Sequence, residues 1–151
     1  MLPDALLAFL HYLSIFGLVG ALTAEAVVLR PGMTPQILAR LMRYDAVYFL
    51  MAILTLGTGV GRLLMSPKGL AFYMTNPWFH AKIGLFVLIA LLSIKPTLTL
   101  FRWKKQARRL PDFVPLPAEL AKTRRWVMLE AHLLIFLPLC AALMARGIGM
   151  G

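Results

Sequence analysis

Apolar residues fall along this chain in four long blocks separated by short polar segments. The blocks cover about residues 5–29, 44–65, 77–103 and 125–145. Each is long enough for the ~20 residues of helix that cross a bilayer core, and none shows the alternation of a half-buried strand. The pattern predicts an all-α fold in which residues 1–151 form a single domain, a four-helix transmembrane bundle.

Helix-breaking and capping residues mark the ends of these blocks. The first block ends at Arg30–Gly32, and Thr34 followed by Pro35 is typical of a cap and first turn of the next helix. Pro96 lies inside the third block and predicts a kink. The segment from Lys104 to Pro117, basic and rich in proline, is predicted to be an irregular connector.

Composition narrows the class of protein further. Hydrophobic residues make up 60% of the chain, and the formal net charge is +10. A basic balance can indicate nucleic-acid binding. Here, however, the basic side chains lie between the apolar blocks, which is how membrane topology is encoded. We therefore exclude nucleic acid as a partner and take the lipid bilayer as the first one.

The distribution of basic residues predicts the orientation of the bundle. The connectors after the first and third blocks, which lie on one side of a four-helix bundle, hold most of them: Arg30, Arg40, Arg43, Arg102, Lys104, Lys105, Arg108, Arg109, Lys122, Arg124 and Arg125. Loops rich in Lys and Arg stay in the cytoplasm. We predict a bacterial inner-membrane protein with both termini external. Reporter fusions should read cytoplasmic after Ala107 and external after Gly151.

Ionisable residues within membrane spans are costly and therefore mark candidate functional sites. Their depths predict two polar layers. The outer layer comprises His11, Arg62, His80 and Lys82, and the inner layer comprises Glu25, Asp45, Lys95, Glu130 and His132. His11 and Glu25 are fourteen residues apart, which places them ~21 Å apart along one helix. The two layers can belong to one long cavity but not to one acid–base pair.

Helical spacing predicts which side chains face the interior. A stripe with 3-4-3-4-3 spacing runs along the second helix: Asp45, Tyr48, Ala52, Thr55, Gly59 and Arg62. It should face the bundle, either to link the layers or to allow close packing. Small residues give the first helix a packing face: Gly17, Gly20, Ala21 and Ala24. His80 and Lys82 are ~200° apart around the helix, so we expect His80 inward and Lys82 at the interface.

Two histidines at matched depth are the minimal arrangement for a bis-histidine haem. His11 and His80 meet that condition, and the cations Arg62 and Lys82 suit haem propionates. The alternative is a pair of interfacial histidines bonded to backbone or lipid. Copper(I) bound by methionine is a second alternative, with candidate ligands Met65, Met74, Met144 and Met150. The lone cysteine, Cys140, is expected to be inert packing.

Several short motifs resemble known families. Leu10–Leu13, Leu38–Tyr44 and Trp78–Leu85 resemble segments of the HemJ-type protoporphyrinogen IX oxidases and of the CopD-type copper-resistance membrane proteins. Tyr73–Pro77 and Met144–Gly147 look typical of an uncharacterised bacterial family of predicted membrane proteins. The HemJ resemblance implies a haem b with His11 as ligand and with His80 and Lys82 at the site. The Asn-Glu-x-Pro motif of HemJ-type proteins is represented only by Glu130.

These observations together predict a haem b-binding membrane protein with an electron-transfer or oxidase role. Two alternatives stay open: a non-enzymatic protein that handles copper or a small solute, as in the CopD-type family, and a structural membrane subunit. The predicted partners are the bilayer and a haem or porphyrin. Whether the chain also binds a second copy or a membrane redox partner is left open by the sequence.

Overall fold

The computed structural model describes residues 2–149, and within that range the chain is built from helices and turns. The helices are α1 (Leu2–Val28), α2 (Pro35–Leu64), α3 (Gly69–Met74), α4 (Pro77–Arg109), α5 (Pro117–Leu134) and α6 (Phe136–Ala145). Four helical stretches are long and apolar enough to cross a membrane: α1, α2, α4, and α5 with α6. The predicted all-α fold is confirmed. Met150, named above as a candidate copper ligand, and Gly151 lie outside the described residues.

Two helix starts follow from side-chain caps. The Thr34 hydroxyl accepts a hydrogen bond from the Ile37 backbone N–H at 3.3 Å. The Asn76 side-chain oxygen accepts one from the Trp78 N–H at 2.9 Å. A proline follows each cap at the first helical position, where its missing N–H costs nothing. The predicted cap at Thr34 is confirmed.

The connector between α4 and α5 is shorter than predicted. Helix α4 passes through Pro96 and continues to Arg109, so the segment 104–109, predicted to be irregular, is helical. Lys, Gln, Ala and Arg are good helix formers, and cations near a helix C-terminus interact favourably with its dipole. Leu110 precedes Pro111, which disfavours helical geometry at Leu110 and ends the helix there.

The helices pack in the order α1, α2, α4 and α5–α6 around the bundle. Helix α1 packs along α2 over most of its length, α4 packs against α5 and α6, and α2 meets α4 over only a short stretch. Four spans place both termini at one end. We call the opposite end, with the basic connectors, the basic end. Which end faces the cytoplasm stays a prediction.

Close packing concentrates in the half of the bundle near the basic end. Large side chains buried there include Leu22, Leu41, Trp103 and Val127. The small-residue face of α1 is closely packed at Gly17, where a Cβ would lie 2.7 Å from Met51 Sδ, and is open at Gly20. Many apolar side chains on the outside are exposed, as expected of surfaces that face lipid.

The fourth span is interrupted between α5 and α6. Helix α5 ends at Leu134 and α6 begins at Phe136, with Ile135 between them. Pro138, four residues after Leu134, has no N–H to donate to the Leu134 carbonyl. The missing hydrogen bond accounts for the break, which lies between Glu130 and Cys140 along the span.

Candidate functional site

Polar side chains at the terminal half of the bundle form a bonded group between α1 and α2. His11 Nδ1 lies 2.9 Å from Thr58 Oγ1. Ser14 donates to the His11 carbonyl oxygen at 2.8 Å, and Thr55 donates to Ser14 Oγ at 3.0 Å. A Cβ on Gly59 would lie 3.3 Å from His11 Cε1, so this glycine makes room for the ring. We call His11, Ser14, Thr55 and Thr58 the histidine layer.

The histidine layer contains hydroxyl groups that sequence analysis did not single out as partners. Ser14 follows His11 by three residues, and Thr58 follows Thr55 by three, so each pair shares one helix face. That spacing could have identified the pairs. It could not show that the two faces meet, because the relative rotation of α1 and α2 depends on packing. The predicted inward direction of Thr55 and Gly59 is confirmed.

Two cations lie beside the histidine layer. The charges of Lys82 and Arg62 both act on the His11 ring. Lys82 is half-buried, and its nearest charged or ionisable neighbours include Arg62 and Cys140. The Arg62 guanidinium carbon stands 5.3 Å from the centroid of the Tyr12 ring, a cation–π distance. The structure therefore brings together three of the four residues predicted for the outer layer.

The fourth residue, His80, points away from the others. It is exposed, and its Nε2 lies 2.9 Å from the Met74 carbonyl oxygen. The predicted inward direction of His80 is wrong, and Lys82 is the one that turns toward the bundle. The physical reason is local: α3 ends at Met74 next to the start of α4 and offers His80 a backbone acceptor.

Near the basic end, two glutamates from different helices are buried in the bundle. Glu25 on α1 is 2% exposed and Glu130 on α5 is 1% exposed. The Tyr48 hydroxyl on α2 donates to Glu130 Oε2 at 3.2 Å. Within residues 2–149, Oε1 of Glu25 and Oε1 of Glu130 are the buried side-chain oxygens or nitrogens without a hydrogen-bond partner. Such groups are rare in folded proteins and call for an explanation.

Asp45 on α2 completes this region. Its Oδ1 accepts a hydrogen bond from the Thr97 hydroxyl at 3.0 Å, and the charge of Lys104 acts on it. Asp45 and Glu130 are both near enough to Glu25 for their charges to interact. We call Glu25, Asp45, Tyr48 and Glu130 the carboxylate layer. The direction of Tyr48 into the bundle, predicted from the stripe on α2, is confirmed.

Two residues predicted for the inner layer lie on the surface instead. Lys95 is exposed, with its Nζ 4.4 Å from the centroid of the Trp126 ring. His132 is exposed and bonds to the Met128 carbonyl of its own helix. Glu130 and His132 are two residues apart, so only one of them can face the interior.

The arrangement of the possible metal ligands bears on the predicted haem and copper sites. Among the described residues, no group of three or more His, Cys, Asp and Glu side chains is close enough to hold a metal ion. A bis-histidine haem fits poorly, because His80 faces outward and the His11 ring packs against Gly59. Copper bound by methionine stays a prediction.

Comparison with known proteins supports the membrane assignment. Residues 3–149 match the model of a family described as predicted membrane protein, DUF2214. The chain belongs to this family. Neither the curated proteins nor the solved structures that were searched contain a match to it. The predicted membership of an uncharacterised membrane family is thus confirmed. The HemJ-type and CopD-type resemblances stay predictions.

Proposed function

We propose that this DUF2214 protein binds and releases protons inside the membrane, at Glu25 and Glu130, and so couples a membrane process to proton movement. The observation that carries the proposal is the pair of buried carboxyl oxygens without partners. An unpaired carboxylate in an apolar interior is very costly, whereas a carboxyl that holds a proton costs much less. Ionisable groups in membrane spans mark proton relays and ion pathways.

The surroundings of the pair favour protons over metal cations. Among the described residues, the salt bridge of Arg102 with Glu119 is the one ion pair within 4.0 Å, so neither Glu25 nor Glu130 is neutralised by a cation at that distance. Calcium and magnesium ions take six or more oxygen ligands, some of which can be waters. Two carboxyl groups, one of them bonded to a tyrosine, supply too few oxygens for such an ion but suffice to bind a proton.

Infrared difference spectroscopy on the protein in lipid bilayers tests the proposal. The chain has six Asp and Glu residues, so few carboxyl bands overlap. We expect a band of a protonated carboxyl that changes as the pH is stepped. Glu25→Gln and Glu130→Gln should each remove part of it. Glu119→Gln, at an accessible carboxylate in a surface ion pair, is the matched control and should leave the band unchanged.

Two outcomes would contradict the proposal. One is the absence of any protonated-carboxyl band from the wild-type protein over the accessible pH range. The other is a band that persists unchanged in the double variant with Gln at positions 25 and 130. Each variant is compared with the wild type by gel filtration and circular dichroism, so that loss of fold is recognised separately.

A haem at the outer layer is a second candidate, favoured by the cluster of cations around His11. Arg62 and Lys82 could meet two carboxylate arms, and His11 could serve as a single axial ligand. An absorption spectrum of the purified protein tests this candidate. A Soret band that His11→Ala removes would support it. A colourless protein, or a band retained in His11→Ala, would contradict it.

A further inference from the structure

A cavity of about 210 Å³ lies between α2 and α4, next to the carboxylate layer. The hydroxyl-bearing residues Tyr48, Ser93 and Thr97 line one part of it, and apolar side chains line the rest. Two of the apolar residues, Phe49 and Ile94, are 62% and 48% exposed on the outside of the bundle. Because that outer surface faces lipid, a molecule would enter from the bilayer rather than from water.

Each hydroxyl group that lines the cavity already donates a hydrogen bond within the protein. Tyr48 donates to Glu130 Oε2 at 3.2 Å. Ser93 donates to the Ala90 carbonyl at 2.8 Å, and Thr97 donates to Asp45 Oδ1 at 3.0 Å. A hydroxyl has one hydrogen and two acceptor lone pairs. The lone pairs that remain on the three oxygens accept, so the molecule that bonds to them without breaking an existing bond is a hydrogen-bond donor.

The size of the cavity limits the molecule further. Pockets for drug-sized ligands measure ~300–1,000 Å³, so about 210 Å³ holds one ring and not a porphyrin. A hydrocarbon tail could remain in the surrounding lipid, because the opening is lateral. Leu134, at the break between α5 and α6, also lines the cavity. Interrupted helices at membrane depth commonly border binding sites.

We propose that this cavity binds a lipid-soluble molecule with a single hydroxylated ring, of the quinol or phenol class, whose one hydroxyl hydrogen lies between the oxygens of Tyr48 and Ser93 in a three-centre hydrogen bond. Tyr48 then connects the bound hydroxyl to Glu130 through its own hydrogen bond. The inference rests on the proposed proton-binding role of Glu130, because it names the kind of molecule that binding would place next to that carboxyl. The corresponding quinone lacks the donor and is expected to bind more weakly.

Photo-cross-linking in nanodiscs tests the site with a para-alkylphenol that carries a diazirine on the tail carbon next to the ring, so that the reactive group enters the cavity with the ring. We expect labelled peptides from the walls of the cavity on α2 and α4. Unlabelled para-decylphenol should displace the probe. Para-decylanisole has the same ring and tail without the donor hydrogen and should displace it poorly. Equal displacement by the two competitors, or labelling spread evenly over the lipid-facing surface, would overturn the proposal.

Variants give an independent measure of the same site. Ala90→Trp fills the cavity at its exposed edge and should abolish the labelling, whereas Leu91→Trp, at a lipid-facing position that does not line the cavity, should not. Ser93→Ala removes one acceptor and should weaken binding about three- to tenfold. Unchanged labelling in both Ala90→Trp and Ser93→Ala would overturn the assignment even if one of them packed differently.

The two proposals fail in different ways. In Glu130→Gln the amide oxygen can still accept from Tyr48, so labelling should persist while the protonated-carboxyl band changes. If the phenol fails to label the wild-type protein although that band is present, only the cavity proposal is wrong. If labelling is specific but no such band exists, the proton-binding proposal is wrong.

Discussion

The histidine layer and the carboxylate layer lie in the same bundle, about four helical turns apart. They differ in how completely their buried polar groups are hydrogen-bonded. In the histidine layer, His11, Ser14, Thr55 and Thr58 bond to each other or to nearby backbone. In the carboxylate layer, Glu25 and Glu130 each keep a buried oxygen without a partner among the described residues. Every residue of the first layer makes a hydrogen bond, whereas in the second layer one oxygen of each glutamate has no partner among the described residues.

This difference suggests different roles for the two layers. A satisfied set of hydrogen bonds between two helices holds them together, which is a structural role. Buried groups left without partners cost stability, and proteins retain such costs where function needs them. The difference teaches that His11, one of the four residues predicted first as a haem site, takes part in a contact that packs α1 against α2, whereas the glutamates of the second layer hold buried oxygens without partners among the described residues.

The sharpest test of this comparison replaces one residue in each layer by leucine. Glu25→Leu removes an unpartnered buried polar group and should raise the free energy of unfolding by about 1–3 kcal/mol. His11→Leu removes the bond to Thr58 and should lower it by about 1–2 kcal/mol. Thermal unfolding of the detergent-solubilised variants measures both. Destabilisation by Glu25→Leu as large as that by His11→Leu would break the comparison.

A smaller effect is expected from glycines of α2 that face different surroundings. Glycine to alanine within a helix gains ~1 kcal/mol from helix propensity alone. Gly57 has nothing within 4 Å of an added Cβ, so Gly57→Ala should raise the free energy of unfolding by that amount. At Gly59 an added Cβ would lie 3.3 Å from the buried His11 ring. Gly59→Ala should therefore raise the free energy of unfolding by less than Gly57→Ala does, or lower it.

Thermal unfolding of the two alanine variants, compared with the wild type, measures this difference. Equal stabilisation by the two substitutions would mean that the His11 ring can move aside. The histidine layer would then be looser than its hydrogen bonds indicate.

The smallest effect is expected at the exposed pair Arg102 and Glu119, whose side chains are 58% and 41% exposed. Arg102→Gln should change the free energy of unfolding by less than about 1 kcal/mol, because surface pairs gain little and salt screens them. Unfolding at low and high salt measures it. A loss above that size would show that charge pairing at the basic end contributes as much as the buried layers do.

Sequence analysis predicted the fold because a membrane restricts it to few solutions. Backbone groups in lipid must bond internally, so four apolar blocks of sufficient length become four helices. The cap at Thr34 was predictable for the same kind of local reason. The helical end of α4 at Arg109 was missed because proline and basic residues in the segment suggested a loop. Those prolines in fact begin only at Pro111.

The candidate site was predictable only in part. Glu25, Asp45 and Glu130 were recognised because charge inside a span is rare and costly. What was predicted wrongly was the direction in which the side chains of His80 and Lys95 point. Spacing along one helix shows that two side chains cannot both face inward, but it does not say which of them does.

What the sequence determined by itself was therefore the number of long apolar helices, the helical class and the position of each ionisable residue along its helix, since these follow from composition and a fixed rise per residue. Only the tertiary structure decided which faces meet. Tyr48 and Glu130 are 82 residues apart, and their hydrogen bond exists because α2 and α5 are turned toward each other. That rotation depends on side-chain packing among all the helices, which no single segment of sequence contains.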